Sequence, residues 1–545
     1  MIKKIVIIGG GFAGWYTAAA LQHNTSCEVM LIDSEKYPTI GVGETTGWSA
    51  AMDFGRLAGV TDEHEFMRET GAIYKYGVRA VDFFQDHQTH QWGKFPNLKV
   101  SSLTNFYNKF EPHDFDEPRN HQDGDIGVIT AWLKINQGLD KTYEDFVLEV
   151  GELDHFISTP VVPVTRNNRF IINPSQGLAY NLDAEKTSAY LKALVSKRNK
   201  GLFTWITNTV DQVLLDDSKK NINCLVLENG TVITADLFID ASGLRRVLMS
   251  SNQNDSWHHD GDQYCNAAWV VPSKYPDPDK DLLGISEFFG EDWGWRFKVR
   301  LYHRVGNGYV FNANQVDPAV PLQRLLEVVG DTRFVEPKLI KWSPGQYTQP
   351  WQGNLLPLGM SAEFIDPYDA PTFDAHGRAL EDLINIINQA PNNPQHQYNV
   401  LRSLTREERK LRLDLTFGLS QRRGPFWESR RELAVKDDYL GKVKDIILGK
   451  RTDLESRMPW HWHHMYIRTC LASNVDMSAW DFPNMSTADE NMAKAFFAFN
   501  RARNKYIENQ SWPGYSKWLQ KYRFDNLTNQ EVLAKLNPQL IKENV

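Results

Sequence analysis

The chain has 545 residues, and at ~150 residues per domain this length suggests three or four domains. Its 60 Lys and Arg against 68 Asp and Glu leave a formal net charge of −8, which gives no reason to expect nucleic acid or an anionic membrane as a partner. No run reaches the ~18 consecutive apolar residues of a spanning helix, and the four cysteines (Cys27, Cys224, Cys265, Cys470) stand too far apart for a disulfide framework or a zinc knuckle. These features lead to the expectation of a soluble protein of the reducing cytoplasm. The 17 Trp within a 12% aromatic share suit either core or a pocket for a flat organic ligand.

The first predicted element imitates something else. Lys3 and Lys4 followed by IVIIGGGFAGWYTAAA have the outline of a secretory leader. The glycines give another reading. IVIIGG is a short buried strand, Gly9, Gly11 and Gly14 have the G-x-G-x-x-G spacing, and a helical pattern follows. A second strand, EVMLID, then ends in Asp33, close to the distance of about 20 residues expected in a dinucleotide fingerprint. Gly9 permits the tight turn, Gly11 lets pyrophosphate approach the backbone, and Gly14 lets helix and strand pack closely. The helix N-terminus offers N–H donors to phosphate, and Asp33 can accept from ribose hydroxyls.

No second fingerprint occurs. Further on, the β-rich stretch NINCLVLENGTVITADLFID runs into Asp240-Ala241-Ser242-Gly243, a strand ending in small residues. This resembles the late strand and glycine turn of glutathione-reductase-type flavoproteins, so Asp240 and Gly243 join the cofactor residues and FAD is favoured over NAD. Residues from about 1 to 110, 160 to 250 and 345 to 384 read as pieces of one flavin domain, with substrate-bearing strands over 250–340. The polar stretch 108–125 reads as a long loop or a solvated linker. RALEDLINIINQA and SLTREERKLRLDLTF have apolar positions three and four apart. The expected architecture is α/β: a Rossmann-like FAD domain with an added substrate sheet over 1–384, and a helical module over 385–545.

An ordered set of segments resembles the flavin-dependent tryptophan halogenases. YPTIGVGETT resembles that family's flavin strap and implies cofactor contacts at Gly43, Glu44 and Thr45. TGAIYKYGVRAVDF resembles the strand bearing its active-site lysine, which would be Lys75. GLAYNLDAEKTSAYL, ADLFIDASGLRR, YHRVGNGYVFNA, WQGNLLPLGMSAEFIDPYDAPTF and RRGPFWESRREL follow in the family's order. The W-x-W-x-I-P signature is altered: in DWGWRFKVR the better register pairs Trp295 with Phe297 and puts Val299 and Arg300 where Ile and Pro are usual. This departure implies a divergent member whose best substrate is not free tryptophan.

The resemblance implies a chemistry. Reduced FAD, supplied by a separate flavin reductase, and O2 oxidise a halide to hypohalous acid, which the protein guides to an electron-rich aromatic or indolic ring. Lys75 suits that guidance, because its ammonium can hydrogen-bond hypohalous acid or its amine can form a haloamine. Strand alternation puts Lys75 on one face with Ile73, Gly77 and Arg79, and by spacing alone it would be a lysine on a half-exposed strand. Asp369 takes the place of the family's glutamate, one methylene shorter, and could stabilise a cationic ring or make an Asx-turn. Pro371 and Thr372 take the halide positions. Because Pro371 has no N–H, one halide donor is removed, so bromide or iodide is expected over chloride.

In MPWHWHHMYIRTC, Trp460 and Trp462 are read, with Trp295 and Phe297, as substrate walls. His461, His463 and His464 lack a flanking carboxylate or thiol at ligand spacing, so no metal is expected. Two other readings remain open: an FAD-dependent aromatic monooxygenase, and a flavin-binding protein without turnover.

Overall fold

Lys4–Ile8 (β1) and Glu28–Asp33 (β2) lie parallel, with Ile5 opposite Val29 and Ile7 opposite Leu31. Ile5, Val6 and Ile7 are fully buried, as expected of a parallel strand covered on both faces. This is a computed structural model, and it describes residues 2–37, 41–47, 50–93, 127–151, 179–198, 201–251, 256–368, 371–448, 463–508 and 515–523.

β1 and β2 are joined by helix α1 (Phe12–Asn24). Two smaller strands follow, Glu44–Thr45 (β3) and Ile73–Lys75 (β4), and both pair with Ala179–Leu182 (β7) in a three-stranded antiparallel sheet. The cofactor sheet is completed by Phe203–Thr207 (β8), Leu237–Asp240 (β9) and Leu355–Pro357 (β15), in the order β15-β9-β1-β2-β8. All its pairs are parallel, the doubly wound arrangement in which ligands sit beyond the carboxyl ends of the strands.

A seven-stranded sheet carries the rest. It contains Gly77–Val81 (β5), Thr89–Trp92 (β6), Ala267–Ser273 (β10), Ile285–Glu291 (β11), Gly294–Arg300 (β12), Val305–Phe311 (β13) and Lys338–Lys341 (β14). Its order is β14-β10-β13-β12-β11-β5-β6, antiparallel except for the parallel pair of β5 with β11. β5 begins two residues after Lys75, so the lysine's strand leads directly into this sheet.

Helix α2 (Ala184–Lys197) is capped by Asp183, whose side chain accepts from the N–H groups of Glu185 and Lys186. Beyond residue 370 the described elements are helical: α3 (Pro371–Gln389), α4 (Pro394–Leu419), α5 (Pro425–Lys436) and α6 (His463–Ala472), with others after them. α3 runs through residues 384 and 385, where the sequence suggested a boundary. The largest core cluster joins Val78, Phe288 and Trp295 of the sheet to Phe417, Trp427 and Ile467 of the helices. The helical part therefore shares its core with the seven-stranded sheet. Among the described residues no helix is long and apolar enough to cross a membrane. The four cysteines are free.

Candidate active site

At the carboxyl end of β1 the backbone makes the turn its glycines require. Gly9 has φ +117, and a Cβ there would overlap the carbonyl of Ala241. A Cβ on Gly14 would overlap the carbonyl of Gly9, so only glycine lets α1 lie this close to the turn. Gly11 is the N-cap of α1 and supplies no side-chain cap, leaving first-turn N–H groups available to an anion. Asp33, at the end of β2, accepts from Gly10 N at 3.1 Å. Gly9, Gly11, Gly14 and Asp33 are thus brought together as a cradle that fits a dinucleotide.

Gly243 closes the cradle from β9, with φ +67. Asp240, expected to contact the cofactor, is placed otherwise. It is fully buried, and Oδ1 accepts from Ser242 N (3.0 Å), Ser242 Oγ (2.6 Å) and Ser361 Oγ (3.2 Å). Oδ2 accepts from the N–H groups of Leu248 and Met249 at 2.8 and 2.9 Å. Its oxygens are engaged within the protein, where they shape the Gly243 turn.

The segment expected to act as a flavin strap is held against the large sheet. Gly43 has φ +90, and a Cβ at Gly306 of β13 would overlap the carbonyl of Val42. Thr45 Oγ1 lies 2.9 Å from Ser286 Oγ, which donates to Asn181 Oδ1 at 2.9 Å. Burial pushes the Glu44 carboxyl up to about 7, with Arg304 opposing and Asp183 reinforcing the shift.

Lys75 is the last residue of β4 and is only 3% exposed. The strand is buried on both faces, since Ile73 and Tyr74 are fully enclosed, which corrects the half-exposed strand suggested by alternation. Lys75 Nζ donates to Thr46 O at 2.7 Å. Asp374, in the first turn of α3, faces the same place: a Cβ on Gly47 would collide with its carboxylate. Its Oδ1 is enclosed without a hydrogen-bond partner. Burial pushes this carboxyl up to about 6, and Arg378, Arg412 and Lys75 pull the other way while Asp53 adds to the rise. Sequence reasoning missed Asp374. Its one signal was an acid in the first turn after a proline, an ordinary helix-start feature.

Pro371 and Thr372 open α3. Thr372 lines a cavity of about 120 Å³ with Gly359 and His376. His376 Nε2 is 3.0 Å from Thr17 Oγ1 on α1, and burial lowers the imidazole to about 3. Asp369, Trp460 and Trp462 lie outside the described residues, as does the stretch 108–125.

Trp295 and Phe297 require a correction. They are 1% and 8% exposed and belong to the main core cluster. Trp295 meets Phe288 and Tyr368 edge to face, with ring centroids 5.5 and 5.7 Å away. These rings support the Asp366–Tyr368 segment and present no open face for a substrate to stack on. Among the described residues no group of three or more His, Cys, Asp or Glu converges as a metal site.

Comparison with known proteins gives a consistent result. The sequence profile of the family described as tryptophan halogenase matches residues 4–467. The tryptophan 7-halogenase RebH of Lentzea aerocolonigenes is 24% identical over 462 residues, covering 81% of each chain. Among solved structures, a tryptophan halogenase from Shewanella frigidimarina superposes with a TM-score of 0.77 at 19% identity, over 97% of this chain and 99% of that one. BrvH, a flavin-dependent halogenase from Brevundimonas sp. BAL3, gives 0.73 at 21% identity, over 94% and 98%. At these identities the structural likenesses establish the fold.

Proposed function

The chain belongs to the tryptophan halogenase family, and from that premise we propose that it halogenates an electron-rich aromatic or indolic compound other than free tryptophan, with Lys75 guiding the halogenating species. The observation that carries this reading is the enclosed Lys75 ammonium, donating to Thr46 O at 2.7 Å directly after the strap segment and facing Asp374.

FAD is the cofactor implied by the family, and the residues present fit it. Gly9, Gly11 and Gly14 would admit its pyrophosphate and Asp33 its ribose, and the uncapped start of α1 leaves donors for phosphate. When bound in reduced form, FAD with O2 supplies the oxidising equivalents that turn halide into hypohalous acid. Its reduction falls to a separate reductase, because the chain's one fingerprint is occupied by this assignment.

The chain's own residues then do four things. The Thr46 carbonyl and the Asp374 carboxylate fix the direction of the Lys75 ammonium. Lys75 Nζ donates a hydrogen bond to hypohalous acid and presents its halogen to the ring. A carboxylate beside this point, Asp374 or Asp369, stabilises the cationic ring and can take its proton. The enclosure of Lys75 excludes water, so the oxidant is not lost to other targets.

Pro371 at the first position of α3 costs the helix nothing, since that N–H has no intrahelical acceptor, but it removes a donor from the halide position. Bromide and iodide, being weakly hydrated, lose less by this than chloride. The test is incubation with FAD, a flavin reductase, NADH, bromide and a panel of indoles and phenols, followed by mass measurement. Brominated product supports the proposal. Hydroxylated product with no bromide requirement would assign a monooxygenase, and flavin binding without product would assign a binding protein.

A further inference from the structure

Two cavities meet at Thr348 and Ser403, which line both. The outer one has a volume of about 610 Å³ and lies between exposed Lys219 and Lys220 and the start of α4, where Asn393 caps the helix by accepting from His396 N. Among the described residues its wall carries two lysines and no carboxylate, in a chain whose net charge is −8. Asp216, close to these lysines in sequence, is taken up by its own turn, accepting from Ser218 Oγ at 2.7 Å and Asn221 Nδ2 at 2.8 Å. The N-terminal end of a 26-residue helix adds to the positive potential. The inner cavity has about 120 Å³. That is well below the ~300 Å³ at which small-molecule pockets begin, and ample for an ion with part of its hydration, at ~30 Å³ per water.

The inner wall favours an anion. Gln346, in the short strand Gly345–Tyr347, lines it and is 3% exposed, and its Nε2 is enclosed with no hydrogen-bond acceptor. A buried amide donor left unused is costly. Arg402 brings a cation to the wall, ion-paired with Asp382, and the carboxylate on that wall, Glu363, is paired with Arg409. Thr372, the second residue of α3, belongs to the same wall. Lys75 lines neither cavity.

We propose that the two cavities are the entry route and holding site for halide. The lysines collect the anion, Gln346 donates to it in the inner cavity, and Thr372 receives it at the halide position. The ligand class is a small, weakly hydrated monovalent anion, because entry strips water from the ion. Halide and aromatic substrate then do not compete for one opening. Delivery to Thr372 rests on the halogenase reading; binding beside Gln346 does not require turnover.

The test joins anomalous diffraction from bromide-soaked crystals of the FAD-loaded protein with bromide kinetics at saturating aromatic substrate. The wild type is expected to show a bromide peak beside Gln346, and Gln346→Met to lose it. Lys219→Glu/Lys220→Glu, changed at the surface, is expected to raise the bromide KM about fivefold or more with kcat within twofold. That increase should shrink when ionic strength is raised with sodium sulfate. An inner cavity without bromide in the wild type overturns the proposal, as does a peak unchanged in Gln346→Met. A peak with the bromide KM unmoved in both variants makes it an adventitious ion only and also overturns it. A peak lost in Gln346→Met, with no halogenated product from any halide, keeps the anion site and removes the halogenase reading. Brominated product with no bromide peak in the inner cavity does the reverse.

Discussion

Lys75 Nζ donates to the carbonyl oxygen of Thr46 across 2.7 Å, which fastens the lysine to the segment running from Gly43 through Thr45. Thr46 is itself fixed, since its N–H donates to Tyr180 O at 2.9 Å and its Oγ1 accepts from Tyr180 N at 2.8 Å. The strap, the middle strand β7 and the lysine are therefore one unit, so a change to the strap also moves the ammonium.

The first prediction follows from the neighbour of Thr46. A Cβ on Gly47 would collide with the Asp374 carboxylate, so Gly47→Ala must displace either the strap or the acid. Halogenation is expected to fall by about tenfold or more, the scale of a misplaced catalytic group, while the thermal midpoint changes little. Steady-state rates and a melting curve on the same sample check this; wild-type rates would show that the contact has no role.

Asp374 gives a pH dependence. Its carboxyl, pushed up to about 6 by burial, is negative above that value and neutral below it. Halogenation is expected to decline as pH falls through about 6, and Asp374→Asn is expected to be slow with no such limb. The stability effect has the opposite sign. A carboxyl raised above its unfolded value contributes most below about 4, and that contribution is lost as pH rises through 6. Rate and melting profiles over pH 5–8, with reductase in excess, measure both.

His376 titrates the other way. Burial holds it at about 3, below its unfolded value near 6.5, so the stability it contributes is complete above 6.5 and is lost as pH falls toward 3. Between pH 7 and pH 5 the loss is about 2 kcal/mol. Denaturant titrations at the two pH values should show a smaller loss in His376→Gln than in the wild type. An equal loss in both proteins would contradict this assignment.

The glycine turn at the end of β1 is legible in the sequence because its residues are close together along the chain. The turn at Gly9, the approach at Gly14 and Asp33 all belong to one β1–α1–β2 unit. Asp240 shows where such reading stops: the sequence marks an acid at a strand end, but Ser361, 121 positions away, helps occupy it. Trp295 and Phe297 looked like substrate walls because an aromatic pair in a strand has the same spacing whether it faces a ligand or the core. Asp374 was invisible for a related reason, since only the fold brings α3 against Gly47.

The halide prediction rests on Pro371. With chloride, bromide and iodide at equal concentration, brominated and iodinated products are expected to exceed chlorinated product. A Lys75→Ala control corrects for non-enzymatic iodination. Thr372 follows immediately with an N–H and a hydroxyl of its own, so dominance by chloride would mean that Thr372 replaces the missing donor.

The most direct measurement is made on Lys75→Ala. The lysine lies outside the Gly9–Gly14 turn, so cofactor binding and halogen transfer should separate. FAD affinity is titrated by fluorescence and product is counted by mass with bromide and an indole substrate. The expected result is FAD binding within about twofold of wild type and no brominated product above a no-enzyme control. Bromination at the wild-type rate in this variant would contradict the central claim that Lys75 guides the halogenating species.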